Sequence, residues 1–548
     1  MNAGLAGAGP LSFSEESLAR GLDFPLADNF FQYGAGSMLA DLDGDGDLDI
    51  LMAGGANNEL GVFENDGTGH FTNQTESSGL TPIDRASGIA GADYDNDGDL
   101  DFFVSGFLTT SRLYRNDGNF TFTDVAAQAG VDISCPAFAS SWSDIDFDGD
   151  LDFYVSVRTN TNLDPTRNFM FINNGDGTFT DMAGPMGIDG GTTPTLLCAF
   201  FDYDRDGDDD LYLGTDKGDH SPLHNFLFRN DNGVFTDITD AANAYANVDC
   251  MGIAVGDLNF DGKYDLYMTN TQPGNKLFMN DGLGVFSDQT VAAGMGSYNV
   301  GWGTVFADFD NDTELDTYLC NMLGPNRLYR GSQTWPLIDE GASAGVDEAT
   351  NVFCVSVGDV DGDNDLDMLV GATEGQVNLY INNSADAATN NWVRFDVIGH
   401  NSNSQAIGAC VNITADAKNQ VRQVRAGTNY KTHDEYTLHF GLGASDTIDD
   451  MYVLYTGNTA RRDLTNVPVN RTWTIYPESM LGDPNGNGRI DYFELFEAIA
   501  SRTGPGNPIE PGLEIYDMDG DFDLDNDDLA LMDLGIRTPT RKNLGVGP

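Results

Sequence analysis

The sequence predicts a mostly β protein. A seven-bladed β-propeller comes first, a small β-sandwich follows, and a small α-helical EF-hand-like unit ends the chain. Three observations predict this. A nine-residue acidic pattern, D-x-D-x-D-G-x-x-D, recurs seven times with starts 51 to 58 residues apart, and self-similarity at such a period marks repeat architecture. Each copy is followed by an apolar run, and the first five by Asn-Gly or Asp-Gly hairpin chemistry. Two twelve-residue acidic loops, their starts 34 residues apart, lie close to the C-terminus.

Composition sets the frame. The chain has 548 residues, with 87 Asp and Glu against 26 Lys and Arg, a formal charge of −61. No basic stripe exists to meet phosphates, so nucleic acid is excluded as a partner. An anionic membrane surface is excluded on the same ground. No run of about 18 apolar residues occurs, so no segment is expected to insert in a membrane. At 40% the apolar fraction is ample for a core. Met1 is followed by NAGLAGAGP, which has neither the basic nor the apolar region of a signal peptide. Residues 1–10 read as a Gly-rich tail outside the repeat.

The propeller is expected over 11–385. Its first acidic loop offers Asp41, Asp43, Asp45 and Asp49 at positions 1, 3, 5 and 9. The next three offer Asp93, Asp95, Asp97 and Asp101; Asp144, Asp146, Asp148 and Asp152; and Asp202, Asp204, Asp206 and Asp210. The fifth has Asp257, Asn259, Asp261 and Asp265, and the sixth Asp308, Asp310, Asp312 and Asp316. The seventh has Asp359, Asp361, Asp363 and Asp367. With the acids at position 7, these loops hold 33 of the 87 acidic residues. Carboxylates crowded in this way repel one another unless a cation joins them. Oxygen-only ligands in a tight loop, with a position-7 carbonyl and a glycine at position 6 for positive φ, suit Ca²⁺. The expectation is about seven Ca²⁺ in the propeller, with folding dependent on them. The last three loops depart from the pattern, at Asn259 and Lys263, at Thr313, and at Asn364, and are expected to bind more weakly.

Around each loop the repeat reads as four short strands. Phe102-Phe103-Val104 follows a loop, Arg112 to Asn116 precedes a hairpin turn, Phe122-Thr123-Asp124 makes a fourth strand, and Ala126 to Gly130 makes a turn of small residues. The seventh repeat ends at Asn383 without its fourth strand. Leu11 to Gly21 matches that strand and turn, so the N-terminus is expected to close the last blade. Gly341-Ala-Ser343-Ala-Gly345 matches G-x-S-x-G but falls at the repeat turn, so it is read as structural. The six His form no zinc-like set; His220 and His224 are read as a surface pair. No catalytic constellation is expected, and the chain is read as a non-enzyme. Six Cys without a C-x-x-C motif fit small buried residues and disulfides about equally well.

The acidic repeats resemble the FG-GAP/VCBS type of calcium-binding propeller. Residues 390–478 contain Ala406-Ile-Gly-Ala409, Arg422-Gln-Val-Arg-Ala-Gly427, His439-Phe-Gly-Leu-Gly443 and Val453-Leu-Tyr-Thr-Gly457. This segment is similar to the ASPIC/UnbV domain of the cartilage acidic protein-like family. Its alternating patterns, such as Trp392 to Val397, read independently as a β-sandwich. Over 480–548, Asp483, Asn485, Asn487, Asp491 and Glu494 stand at EF-hand ligand positions, with a helix expected over Phe493 to Ala500. Asp517, Asp519, Asp521, Asp525 and Asp528 form a second such loop, with Phe522 where Gly is usual. The pair resembles a dockerin and is expected to take up to two further Ca²⁺. The resemblances imply a secreted or cell-surface structural and adhesive protein. Expected partners are other proteins, copies of this chain among them through head-to-tail fibre formation. An integrin-like ligand-binding propeller and a carbohydrate-active protein on a dockerin-like tag are the alternatives, with glycans or a cohesin-like domain as partners.

Overall fold

The computed structural model describes residues 9–477, apart from 28–33, 57–58, 159–166, 217–223, 247, 272–273, 298, 400–402, 428 and 459–460. Both EF-hand-like loops with their helix, His220, and residues 1–8 of the tail lie outside the described residues.

Each acidic loop joins the first two strands of an antiparallel four-stranded unit. In the first unit the order is Ser37–Ala40, Asp49–Met52, Gly61–Asn65, Phe71–Asn73. The second has Ala86–Ala92, Asp101–Thr110, Arg112–Asn116 and Phe122–Asp124. The third has Ser134–Ser143, Asp152–Val157, Phe169–Asn173 and Phe179–Asp181. Asp101–Thr110 overruns its unit and pairs with Ser134–Ser143, which fuses the second and third into one sheet. The fourth, fifth and sixth units repeat the plan, opening on Thr195–Phe201, Ile253–Gly256 and Val300–Ala307. In the seventh, Val352–Gly358, Asp367–Ala372 and Asn378–Asn382 are completed by Phe13–Glu15 from the N-terminus. Phe13 lies opposite Asn382 and Glu15 opposite Tyr380.

Burial explains the strand chemistry. First strands are hemmed in on both faces, and that of the second unit uses small residues. Ala86–Ala92 reads ASGIAGA and is buried throughout, as a strand covered on both sides must be. A Cβ on Gly88 would lie 2.3 Å from the Phe138 carbonyl oxygen, so adjacent first strands touch. Fourth strands have one buried side, and Phe122–Asp124 alternates accordingly: Phe122 packs inward against Phe102 while Thr123 and Asp124 are exposed. The Asp of this Phe-Thr-Asp run then caps the turn after it. Asp124 Oδ1 accepts the Ala126 amide at 3.1 Å, and Asp181, Asp288 and Asp339 act alike on Ala183, Thr290 and Gly341. The other oxygen pairs with Arg112, Lys276 or Arg327 on the third strand, or with Arg167 just before it. Gly341–Ala344 is one of these capped turns, and the Ser343 hydroxyl donates to the Glu340 carbonyl at 2.9 Å, so G-x-S-x-G is structural here. His224 is half-buried and stacks near Tyr245 rather than facing a ligand partner among the described residues. All six Cys are free thiols, five of them buried and Cys135 half-buried.

Residues 391–475 form two sheets over one core. Leu438–Gly443, Asn391–Val397 and Thr472–Ile475 make the first; Lys418–Gln423, Cys410–Ala415, Thr447–Leu454 and Arg461–Pro468 make the second. Phe395, Phe440 and Trp473 from one meet Ile413, Met451 and Val453 from the other.

Between these sheets, segment 424–437 runs into the centre of the propeller. The Leu39 amide donates to the His433 carbonyl at 3.1 Å, and the His433 amide donates to the Ser37 carbonyl at 2.9 Å. Ile89 donates to the Lys431 carbonyl and Trp142 to the Ala426 carbonyl, at 3.1 and 2.9 Å. Tyr430 sits fully buried among Phe107, Phe138, Leu196, Trp302 and Phe353, which come from five different units. The Lys431 ammonium lies 4.3 Å from the Phe138 ring centroid. The central channel is thus filled by the chain's own C-terminal unit.

Candidate metal centres

The seven acidic loops share one backbone design. Position 6 is left-handed in all of them, from Asn364 at φ 71° to Gly98 at 99°, with Thr313 at 87°. Position 4 is left-handed too, although it is a non-glycine at Asn96, Phe147, Arg205, Phe260 and Asn311. The two reversals turn the loop's amides inward. In every loop the position-6 amide donates to Oδ2 of the position-1 Asp, at 2.8–3.2 Å. The position-7 amide donates to Oδ1 of position 5, at 2.9–3.1 Å.

Position 9 does more than the ligand role expected of it. Its Oδ2 accepts the position-2 amide and its Oδ1 accepts an amide from the third strand. Asp210, for example, takes Tyr203 and Asn230, both at 2.8 Å. It straps the loop to its unit. In the second, third and sixth loops a position-9 oxygen also lies within 4.8 Å of position-1 and position-3 oxygens. In the first and fourth the corresponding set is positions 1, 3 and 5.

A second strap runs from unit to unit. The third strand ends on an Asn whose Nδ2 donates to the position-2 carbonyl of the preceding loop. Asn116 reaches Leu42, Asn173 reaches Tyr94, Asn230 reaches Ile145 and Asn280 reaches Tyr203. Asn382 reaches Phe309, and Asn65 reaches Val360 across the chain ends. In the sixth unit Gly331 replaces the Asn, and Gln333 supplies the bond to Leu258 at 2.7 Å. The bonds form an unbroken circle. In the sequence these Asn read only as hairpin residues, although they recur at one place in the repeat.

The charges fit a cation. Burial pushes the Asp49 carboxyl up to about 8 and that of Asp101 up to about 9, against the pull of their backbone hydrogen bonds. Burial, then the charges of Asp148 and Asp146, push Asp144 up to about 7. Four buried carboxylate oxygens at position 1 or 3 have no hydrogen-bond partner: Asp144, Asp204, Asp310 and Asp361 Oδ1. A buried acceptor without a donor is costly, and a hard cation bound by oxygens meets that need. The residues therefore fit Ca²⁺. Donor groups of the chain itself lie at the divergent loops. Lys263 donates to the Asp204 carbonyl at 2.8 Å, and Asn259 Nδ2 donates to Asp261 at 3.0 Å. Arg330 pairs with Asp310, and Arg394 with Asp359.

The C-terminal unit covers this acidic face. Ser404 donates to Asp93 at 3.0 Å, His439 meets Asn311 at 2.6 Å, and Lys418 pairs with Glu314 at 3.3 Å. Arg394 also pairs with Glu435 at 2.5 Å.

Repeated acidic loops at a fixed place in four-stranded units define an acidic-loop β-propeller class of protein. FG-GAP-like repeats match at residues 41–104, 93–155, 144–213, 202–268 and 257–319, and an ASPIC and UnbV domain matches at 399–480. The chain belongs to the FG-GAP-like repeat family and carries an ASPIC and UnbV domain. Over 498 residues it is 27% identical to cartilage acidic protein 1 of Xenopus tropicalis, covering 81% of this chain and 74% of that protein. Over 389 residues it is 26% identical to the Homo sapiens protein of that name, covering 67% of this chain and 48% of that one. Among solved structures, BBS1N in complex with ARL6DN matches at a TM-score of 0.43 and 11% identity, covering 68% of this chain and 96% of that one.

Proposed function

We propose that the chain is an extracellular protein-interaction module hardened by calcium. A seven-bladed propeller over 11–385 holds Ca²⁺ in its acidic loops, and an ASPIC/UnbV unit over 390–478 seals one face. One observation carries the reading: the partnerless buried oxygens of Asp144, at position 1 of its loop, and of Asp204, Asp310 and Asp361, at position 3 of theirs. The repeats are not those of an enzyme family, and no helix among the described residues is long and apolar enough to cross a membrane. Similarity to cartilage acidic protein 1 supports a role in contact with other proteins.

With the acidic face covered and the channel filled, the opposite propeller face is the surface assigned to partners. The base of the N-terminal tail is held in its own chain, where the Gly9 amide donates to Asp386 and its carbonyl accepts from Arg330. That holding gives the head-to-tail fibre less support than a discrete binding module. Titration with CaCl₂ by calorimetry, followed by melting with and without chelator, tests the reading. Several bound ions and a melt that falls sharply on chelation are expected, and no heat of binding would refute it.

A further inference from the structure

Position 8 of the acidic loop is apolar in six repeats: Leu48, Leu100, Leu151, Tyr264, Leu315 and Leu366. In the fourth it is Asp209, which is 2% exposed. A carboxylate replaces a core side chain there, and its contacts show what it serves. Oδ2 accepts the Ser143 hydroxyl at 2.7 Å, and Oδ1 accepts Nε2 of Gln423, from the C-terminal unit, at 2.5 Å. Gln423 also accepts the amide of Asp202, position 1 of the same loop, at 3.3 Å. The Gly457 amide donates to the Gly207 carbonyl, position 6 of that loop, at 3.0 Å. The C-terminal unit therefore holds the fourth loop at its position-1 amide, its position-6 carbonyl and its position-8 side chain. Gln423 directly precedes the segment that fills the channel.

We propose that Asp209 is the docking key that seats the C-terminal unit on the propeller and couples the channel plug to cation occupancy of the fourth loop. The coupling rests on the calcium reading above. It follows from shared geometry: a cation fixes positions 1 to 6, and the same positions present the groups that Gln423 and Gly457 bind. Linkage is reciprocal, so what loosens the plug must weaken cation binding at that loop by the same factor.

The test uses the full chain with Asp209→Leu, which restores the residue of five sister loops. Gln423→Ala reads the same contact from the other side should the first variant fold poorly. Hydrogen exchange of peptides across 424–437 is measured in saturating CaCl₂, and CaCl₂ binding is measured by calorimetry. Exchange across the plug should rise about tenfold while second-strand peptides stay protected, and the affinity of one calcium site should fall about tenfold. Unchanged plug exchange in both variants overturns the docking role. Faster exchange with every calcium affinity unchanged overturns the coupling. If the wild-type chain binds no calcium, the calcium reading fails together with the coupling, and plug exchange still decides the docking role of Asp209.

Discussion

Replacing Asn173 with Ala tests the circle of interunit bonds at one link. The Asn173 side chain is buried, and its Nδ2 donates to the Tyr94 carbonyl at 3.0 Å and to the Leu151 carbonyl at 3.4 Å. Its Oδ1 accepts the Gly175 amide at 3.1 Å. Truncation leaves the Tyr94 carbonyl short of a donor at a buried place, which costs about 1–3 kcal/mol. The longer Leu151 bond contributes less, and the part-buried Gly175 amide can turn to water. With the small void added, the loss is about 2–4 kcal/mol. Denaturant unfolding in saturating calcium measures it, with Asn174→Ala as control. Asn174 is exposed and bonds only locally to Thr178 and Thr180, so its loss should stay under about 0.5 kcal/mol. Equal, small losses in the two variants would refute the claim that these Asn bind unit to unit.

Arg394→Met should cost about 3–5 kcal/mol, because Asp359 and Glu435 would be left buried without their shared cation. A loss below about 1 kcal/mol in calcium would contradict that pairing. His433 is fully enclosed in the channel, its Nδ1 accepting the Gly91 and Gly427 amides, and burial pushes its pKa down to about 3. The folded state then binds fewer protons than the unfolded one between that value and the ordinary value of about 6.5, so stability drops as pH falls through this window. His433→Gln should lose about 2–3 kcal/mol less than wild type between pH 6 and 4, and parallel stability curves would refute it. Gln333→Ala removes the exposed stand-in bond to Leu258 and should cost less than Asn173→Ala, about 0.5–1 kcal/mol by denaturant unfolding; an equal loss would mean the sixth link matters as much as the others.

The repeat was legible because its signal is charge in phase, and charge patterns survive without knowledge of the fold. The N-terminal closing strand was legible for the same reason: Phe13 and Gly21 stand where the repeat has its Phe and its turn Gly. Left-handed residues at position 4 were not. Phe147, Arg205 and Phe260 carry no local preference for positive φ, and only the closed loop's amide pattern demands it. The strapping role of position 9 was hidden because a ligand Asp and an amide-accepting Asp look alike in sequence. The plug was hidden too. Segment 424–437 has no periodicity, and Tyr430 and Lys431 are buried by strands more than a hundred residues away in the chain, as with Trp302 and Phe138. Asp209 left the one readable trace, an acid where six repeats hold apolar residues.

The central claim is that cations bind the acidic loops and hold the propeller together. Native mass spectrometry in CaCl₂ and after exhaustive chelation, paired with a thermal melt of each sample, tests it most directly. About seven ions on the described repeats are expected, with a melting temperature that drops sharply when they are removed. A chain that keeps its melting temperature after every ion is gone would contradict it.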